Sequence, residues 1–128
     1  TSWDRANSRF VRRTMPGSGR FGVRVNVIQA ERRRDDAPLW VEVFSQFAFK
    51  QGQLQSGDIG DTQRIPPNGT PGWFTLNLRL NYTLELSETG RATFFLHGYN
   101  LFDENYRLHG SGDNEPGLNV VFGTQITF

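Results

Sequence analysis

Apolar and polar positions alternate without a break from Phe74 to Leu86: every even-numbered position is apolar and every odd-numbered one is polar or charged. Successive side chains of a β-strand point to opposite faces, so this pattern predicts a strand with one apolar and one polar face. Thirteen residues at about 3.3 Å each span about 43 Å, and a tilt of about 45° leaves a rise of about 30 Å, the thickness of a bilayer's hydrocarbon core. The segment is therefore typical of a transmembrane β-strand.

Similar alternation predicts four more strands, and no segment has a helical pattern. The predicted strands are residues 20–28, 39–49, 73–86, 91–101 and 118–128. Two long polar loops are predicted at 50–72 and 100–117, a charged turn at 29–38 and a tight turn at 87–90. Residues 2–10 contain a candidate for the end of a further strand. Short and long connections alternate, as in outer-membrane barrels with short periplasmic turns and long outer loops.

Composition narrows the class of protein without naming a function. The chain has 128 residues, a net charge of +1 and no cysteine, which predicts a single domain with neither disulfides nor thiolate chemistry. The weak net charge and the lack of a recognition helix argue against nucleic acid as a partner. The mean hydropathy of −0.54 is compatible with barrel strands. Their apolar and polar residues alternate, so the hydropathy averaged along such a strand is low. The chain begins at Thr1 without an apolar leader, so we expect an exported protein to be a processed product or a piece of something longer.

No motif in the chain favours an enzyme. GSGRFG at Gly17–Gly22 matches the dinucleotide pattern G-x-G-x-x-G, but a predicted strand follows it where that fold needs a helix. A cation site could combine His109 with nearby acidic residues, although their spacing has no ligand register; these are Asp103, Glu104, Asp113 and Glu115. We therefore predict no catalytic residue, no metal and no cofactor.

Three segments resemble the C-terminal part of TonB-dependent outer-membrane receptors. They are PGWFTLNLR at Pro71–Arg79, NLFDENYR at Asn100–Arg107, and the alternating strand that ends in Phe128. The second segment is the most specific, together with the HGSG and EPG sequences that follow it within 109–117. The resemblance is close from Pro71 to the end and looser over residues 12–70.

The last strand also resembles the signal that the barrel-assembly machinery recognises. Gly123, Ile126 and the terminal Phe128 are in the register of that signal, whereas Val121 stands where a polar residue is usual.

The resemblance implies a barrel of about 22 strands around an N-terminal plug, importing siderophores, cobalamin or saccharides with energy from TonB. This chain would supply the last five strands, an antiparallel transmembrane barrel segment with loops 50–72 and 100–117 outside the cell. Five strands cannot close, and an open edge in lipid leaves backbone groups unpaired. The implied partners are the rest of the barrel and the plug, on another polypeptide or a missing part of the chain. Two further partners are implied. One is the TonB system, which would act through the missing N-terminal part, and the other is the lipid of a Gram-negative-type outer membrane.

Six residues are site candidates, three as lumen-facing residues and three as outer-loop contacts for a ligand. Three are predicted to face the lumen: Arg79, Asn81 and His97. Three lie in the second outer loop: Tyr106, Arg107 and His109. For Arg79 we favour a structural role, in which it pairs with a side chain on a neighbouring strand.

Two other interpretations stay open. The chain could be one subunit of an oligomeric membrane pore to which each copy gives a few strands. It could instead be a soluble β-sandwich that binds a ligand with its two long loops. Dependence on detergent and native mass distinguish these three interpretations.

Overall fold

The computed structural model describes residues 3–4, 9–10, 14–28 and 38–128. In chain order the elements are β1 (Trp3–Asp4), β2 (Arg9–Phe10), β3 (Ser18–Ile28), β4 (Leu39–Ala48), α1 (Ser56–Ile59), β5 (Trp73–Glu85), β6 (Arg91–Tyr99) and β7 (Asn119–Thr127). The last five strands form one open antiparallel sheet in the order β3-β4-β5-β6-β7, and β1 pairs with β2. The prediction of an all-β protein is confirmed.

Four ends of the five main strands coincide with the prediction, and the other six differ from it by one or two residues. β6 ends at Tyr99, two residues early, because Asn100 takes a φ of 51° and leaves the extended conformation. β5 ends at Glu85 because the N–H groups of Leu86 and Ser87 bond to the carbonyl of Gly90, at 2.9 and 3.3 Å. The remaining differences are at Ser18, Ala48, Asn119 and Thr127.

A four-residue helix, α1, lies in the predicted loop 50–72, so the prediction that the chain has no helix was wrong there. Gln55 caps it: the Gln55 side chain accepts a hydrogen bond from Gly57 N at 2.8 Å, and Asp58 Oδ2 accepts one from Gln55 N at 3.2 Å. A single turn is too short to show a 3.6-residue period, which is why the sequence pattern missed it. No helix among the described residues has the length and apolarity needed to cross a membrane.

Two sequence-based predictions fall largely on residues outside the described ranges. The charged turn predicted at 29–38 is described only at Pro38. Of the candidate strand end at 2–10, the structure describes Trp3–Asp4 and Arg9–Phe10, which pair with each other in an antiparallel sense.

The described chain forms two compact units. The first, which we call the loop unit, comprises Thr1–Arg20, Gln46–Phe74 and Glu104–Gly117. The second, the sheet unit, comprises Phe21–Ser45, Thr75–Asp103 and Leu118–Phe128. Ala48 and Ile65 are buried hydrophobic residues of the loop unit, and Phe44 and Ala92 are those of the sheet unit.

One face of the sheet unit is apolar and exposed. In the β5–β6 pair Leu80 lies opposite Leu96 and Tyr82 opposite Phe94, and in the β6–β7 pair Leu96 lies opposite Phe122. We call this the apolar face, and its exposed members come from all five strands: Phe21, Val23, Val25, Val27, Val43, Tyr82, Leu84, Phe94, Leu96, Val120, Phe122 and Ile126.

The opposite side, which we call the Arg79 face, carries most of the polar and charged residues of the strands, together with the rings of Phe44, Phe95 and Tyr99. On β5 the buried side chains are Thr75 and Asn77, each 2% exposed, whereas Tyr82 and Leu84 of the apolar face are 37% and 41% exposed. An antiparallel sheet of a water-soluble protein normally buries its apolar face and exposes its polar one. In the sheet unit this arrangement is reversed.

Candidate functional site

Arg79 is the centre of a polar cluster in the sheet unit. Its Nη1 lies 3.6 Å from Glu42 Oε2, its Nη2 lies 3.5 Å from the hydroxyl of Tyr99, and its guanidinium carbon is 4.8 Å from the ring centroid of Phe44. The same Glu42 oxygen lies 3.8 Å from Nη2 of Arg24. One carboxylate thus joins arginines of two strands, an arrangement that holds their charges in place and gives Arg79 the cross-strand contact favoured from the sequence.

Asn81 and His97 lie beside this cluster. His97 is directly opposite Arg79 in the β5–β6 register, and its Nε2 lies 3.1 Å from Asn81 Oδ1. Because an amide oxygen can only accept, Nε2 is the nitrogen that donates here. Nδ1 of His97 faces the hydroxyl of Tyr99 at 3.5 Å. The structure therefore brings Arg79, Asn81 and His97 together on the Arg79 face.

Asn77 has a structural role that the sequence pattern did not reveal. Its Oδ1 accepts a hydrogen bond from Asn100 N at 2.9 Å, and its Nδ2 donates to Phe44 O at 3.3 Å. One buried amide thereby ties the backbone of β4 to the segment that follows β6. Alternation placed Asn77 among the polar positions, but nothing in the sequence separates it from the half-buried Asn81.

The start of the NLFDENYR segment is a turn built from residues that tolerate a left-handed backbone. Asn100 and Asp103 have φ values of 51° and 54°, and Asp103 N donates to Asn100 O at 2.9 Å. The Asp103 side chain then accepts a hydrogen bond from Leu118 N at 2.9 Å. Asn and Asp adopt this conformation more readily than other residues with a side chain. Asn100 and Asp103 thus shape the turn after β6, and Asp103 also binds the residue that precedes β7.

Tyr106 and Arg107, two of the predicted loop candidates, line a cavity of the loop unit. The ring of Tyr106 packs on that of Trp73 with centroids 4.4 Å apart and planes tilted by 37°. Arg107 Nε donates to Asn114 Oδ1 at 3.3 Å. The cavity has a volume of about 270 Å³. Burial, and then the nearby Glu115 carboxylate, raise the pKa of the Tyr106 phenol, so it remains a neutral hydrogen-bond donor at ordinary pH.

His109, the third loop candidate, is buried in the loop unit. It is 7% exposed, and its Nδ1 lies 2.8 Å from the hydroxyl of Thr70, which is 2% exposed. Thr70 in turn exchanges two backbone hydrogen bonds with Gln51, each of 3.0 Å. Burial lowers the pKa of His109, while the Asp58 carboxylate opposes the shift. His109 thus connects the two predicted loops.

The three residues of the predicted assembly signal lie at the end of the sheet unit. Gly123 is opposite Phe95, and a Cβ at this position would overlap the Phe95 ring. Ile126 lies opposite Ala92 with 55% of its surface exposed. Phe128 follows the last residue of β7 and is 93% exposed.

One hydroxyl–imidazole pair stands out among the described residues. Thr70 and His109 form a hydroxyl–imidazole pair of the kind that can activate a nucleophile; both side chains are buried, and His109 also lines a second cavity of the loop unit. Within the described ranges, no group of three or more His, Asp and Glu side chains is placed to hold a metal ion. The described residues form an exposed apolar face, a polar face on which charged side chains are paired, and a cavity lined by aromatic rings.

Comparison of the chain with protein-family models, with curated proteins and with solved structures gives no match.

Proposed function

We propose that this chain forms part of the wall and outer loops of a TonB-dependent outer-membrane transporter that imports a scarce nutrient of the siderophore, cobalamin or saccharide class. The chain itself carries out no catalysis in this proposal. The remaining strands and the plug are supplied by another polypeptide or by a further part of the same chain, and TonB acts through that part. The location is the outer membrane of a Gram-negative-type bacterium.

The observation that carries the proposal is the exposed apolar face of the sheet unit. Phe122 is 81% exposed and Val23 is 67% exposed, and every one of the five strands adds at least one large hydrophobic residue to this face. Water-soluble monomers rarely expose contiguous apolar patches larger than a few hundred Å². Hydrocarbon chains of lipid would cover such a face, as they cover the outward-facing apolar side chains of membrane barrels.

The Arg79 face supports the same assignment from the other side of the sheet. The interior of a barrel of about 22 strands is polar and holds water or a plug. The Arg79 side chain is 30% exposed, and its Nη1 lies 3.6 Å from Glu42 Oε2. A charged residue on the lipid side would cost about 2–4 kcal/mol near the bilayer midplane, whereas on the inner side it contacts polar groups.

The resemblance of Pro71–Arg79 and Asn100–Arg107 to TonB-dependent receptors makes the assignment specific. By this resemblance residues 50–72 and 100–117 are outer loops, which puts Tyr106 and Arg107 where a ligand arrives from outside. Arg79, Asn81 and His97 then face the lumen.

Site-directed spin labelling in bilayers tests the proposal. The chain has no native cysteine, so Phe122→Cys and Gln125→Cys each take one label, and both positions are exposed on opposite faces of β7. We expect oxygen, which concentrates in lipid, to reach the label at 122, and a water-soluble nickel complex to reach the label at 125. The labelled protein should sediment with membranes and leave them only with detergent.

Equal access of the nickel complex to both labels, in a chain that stays in solution without detergent, would contradict the proposal. That result would favour the soluble β-sandwich. A control label at Glu88, in the exposed turn between β5 and β6, reports the accessibility of a position outside the bilayer.

A further inference from the structure

The cavity of the loop unit that both Trp73 and Tyr106 line has the composition of a site for a small neutral ring. We propose that this cavity binds a single pyranose unit of a neutral saccharide. The role of such binding in uptake rests on the proposed function above, whereas the binding itself can be measured directly.

The apolar part of the cavity is built around a pair of aromatic rings. Trp73 and Tyr106 are packed against each other with centroids 4.4 Å apart, and Pro66 and Pro71 line the cavity with them. The face of an aromatic ring is electron-rich and attracts weakly positive C–H groups. Because the two rings pack on each other with planes tilted by 37°, they do not form one flat surface. The C–H side of a pyranose presents such groups in one plane, and it would stack on one of the two rings while the other supports that ring from behind.

The polar part of the cavity supplies both hydrogen-bond donors and acceptors. Arg107 only donates, Glu104 only accepts, and Asn105 and Asn114 do both. A sugar hydroxyl donates one hydrogen bond and accepts others, so it needs this mixture. An exposed hydrogen bond of 3.3 Å, from Arg107 Nε to Asn114 Oδ1, brings two of these side chains together.

Charge and size narrow the ligand further. The lining contains one acid, Glu104, and one base, Arg107, and the Glu115 carboxylate acts on Tyr106 from nearby. The carboxylates disfavour an anion and the Arg107 guanidinium disfavours a cation, so a neutral ligand suits the cavity best. Its volume of about 270 Å³ lies at the lower limit of ligand pockets, which range from roughly 300 to 1,000 Å³. One ring fits, and the rest of a longer saccharide would extend into solvent.

Saturation-transfer NMR on the full chain, in the solvent or detergent in which it purifies, tests the inference. The probes are glucose, galactose and maltose, with citrate as an anionic and putrescine as a cationic comparison. We expect at least one of the three sugars to show saturable transfer to its ring protons, and neither charged probe to do so. Transfer to citrate or putrescine alone would overturn the assignment of a neutral ligand.

Paired variants locate the binding site. Trp73→Ala and Asn114→Ala should each weaken sugar binding by about tenfold, the effect of losing one aromatic or hydrogen-bond contact. The matched controls Trp40→Ala and Asn119→Ala change the same residue types in the sheet unit and should leave binding unchanged. Asn114→Ala removes no large side chain, so it remains informative if Trp73→Ala unfolds, which circular dichroism would detect.

Two outcomes overturn the inference: no sugar binds the folded wild-type chain, or both cavity variants bind sugar as tightly as the wild type. These failures are distinct from failure of the proposed function. A chain that is soluble without detergent contradicts the membrane assignment and still allows the sugar titration. A chain that is extracted only with detergent and binds no sugar contradicts the saccharide site alone.

Discussion

Gly123 faces the ring of Phe95 across the β6–β7 pair, with no room for a Cβ between them. Gly123→Ala should therefore lower the free energy of unfolding by about 1–3 kcal/mol, because the ring or the strand must shift. Urea titration monitored by circular dichroism measures the loss. The matched control is the same change in a Phe95→Ala background, where the added methyl should cost less than about 0.5 kcal/mol. An equal loss in both backgrounds would show that the ring is not the obstacle.

His109 should make stability depend on pH. Burial lowers its pKa in the folded protein, while in the unfolded chain imidazole titrates near about 6.5. Below that pH the unfolded chain binds a proton that the folded chain takes up only at lower pH. The contribution of neutral His109 to the free energy of unfolding is complete above about pH 6.5, and it is lost as the pH falls through the pKa of His109 in the folded protein.

The urea concentration at the midpoint of unfolding should therefore decrease as the pH is lowered from about 7 to about 5. His109→Gln should reduce this dependence on pH because an amide does not titrate. A pH dependence that is unchanged in His109→Gln would be assigned to other groups.

Thr70→Val tests the hydrogen bond of 2.8 Å between Thr70 and His109 separately. This change should lower the free energy of unfolding by about 1 kcal/mol.

At the scale of elements, the two faces of a strand should respond differently to charge. Val25 and Asn26 are adjacent, exposed positions on opposite faces of β3. In a bilayer Val25→Arg should cost about 2–4 kcal/mol near the midplane, whereas Asn26→Arg should stay within about 0.5 kcal/mol. Unfolding by urea in lipid vesicles measures both. Near-equal costs for the two variants would mean that water covers both faces.

The strands could be predicted from the sequence because alternation survives along their whole length. From Phe74 to Leu86 the pattern predicts which residues share a face, and the structure has Leu80 and Tyr82 on one face and Arg79 and Asn81 on the other. The strand ends could not be predicted from alternation, because they depend on single backbone events such as the positive φ of Asn100.

The candidate site was less accessible to sequence analysis. The Trp73–Tyr106 pair joins residues 33 positions apart, and the buried hydrogen bond of His109 reaches 39 positions back to Thr70. Residue type predicted that Tyr106 and Arg107 could contact a ligand, but only tertiary contacts reveal that they share a cavity with Trp73. For the same reason the burial of His109 was not evident from the sequence.

At the scale of the whole molecule, the sheet is open, with β3 and β7 as its outer strands. Unpaired strand edges in lipid cost several kcal/mol per backbone group, so in the proposed barrel further strands must cover them. Native mass spectrometry in detergent should give an assembly heavier than the 14.6 kDa of this chain. A larger, different partner would support a barrel completed by other strands, and a set of identical copies would favour the oligomeric pore. A monomer that inserts stably into bilayers would contradict both.

The turn at Ser87–Gly90 makes one pair of strands much easier to form than the others. Gly90 O accepts from the N–H groups of Leu86 and Ser87, and Gly90 N donates to Ser87 Oγ at 2.8 Å. Hairpins with such short connections close in about 1–10 μs, ahead of pairings that must first order a long loop. The β5–β6 hairpin is therefore the natural nucleus from which the sheet grows, and changes in this turn should slow folding more than they speed unfolding.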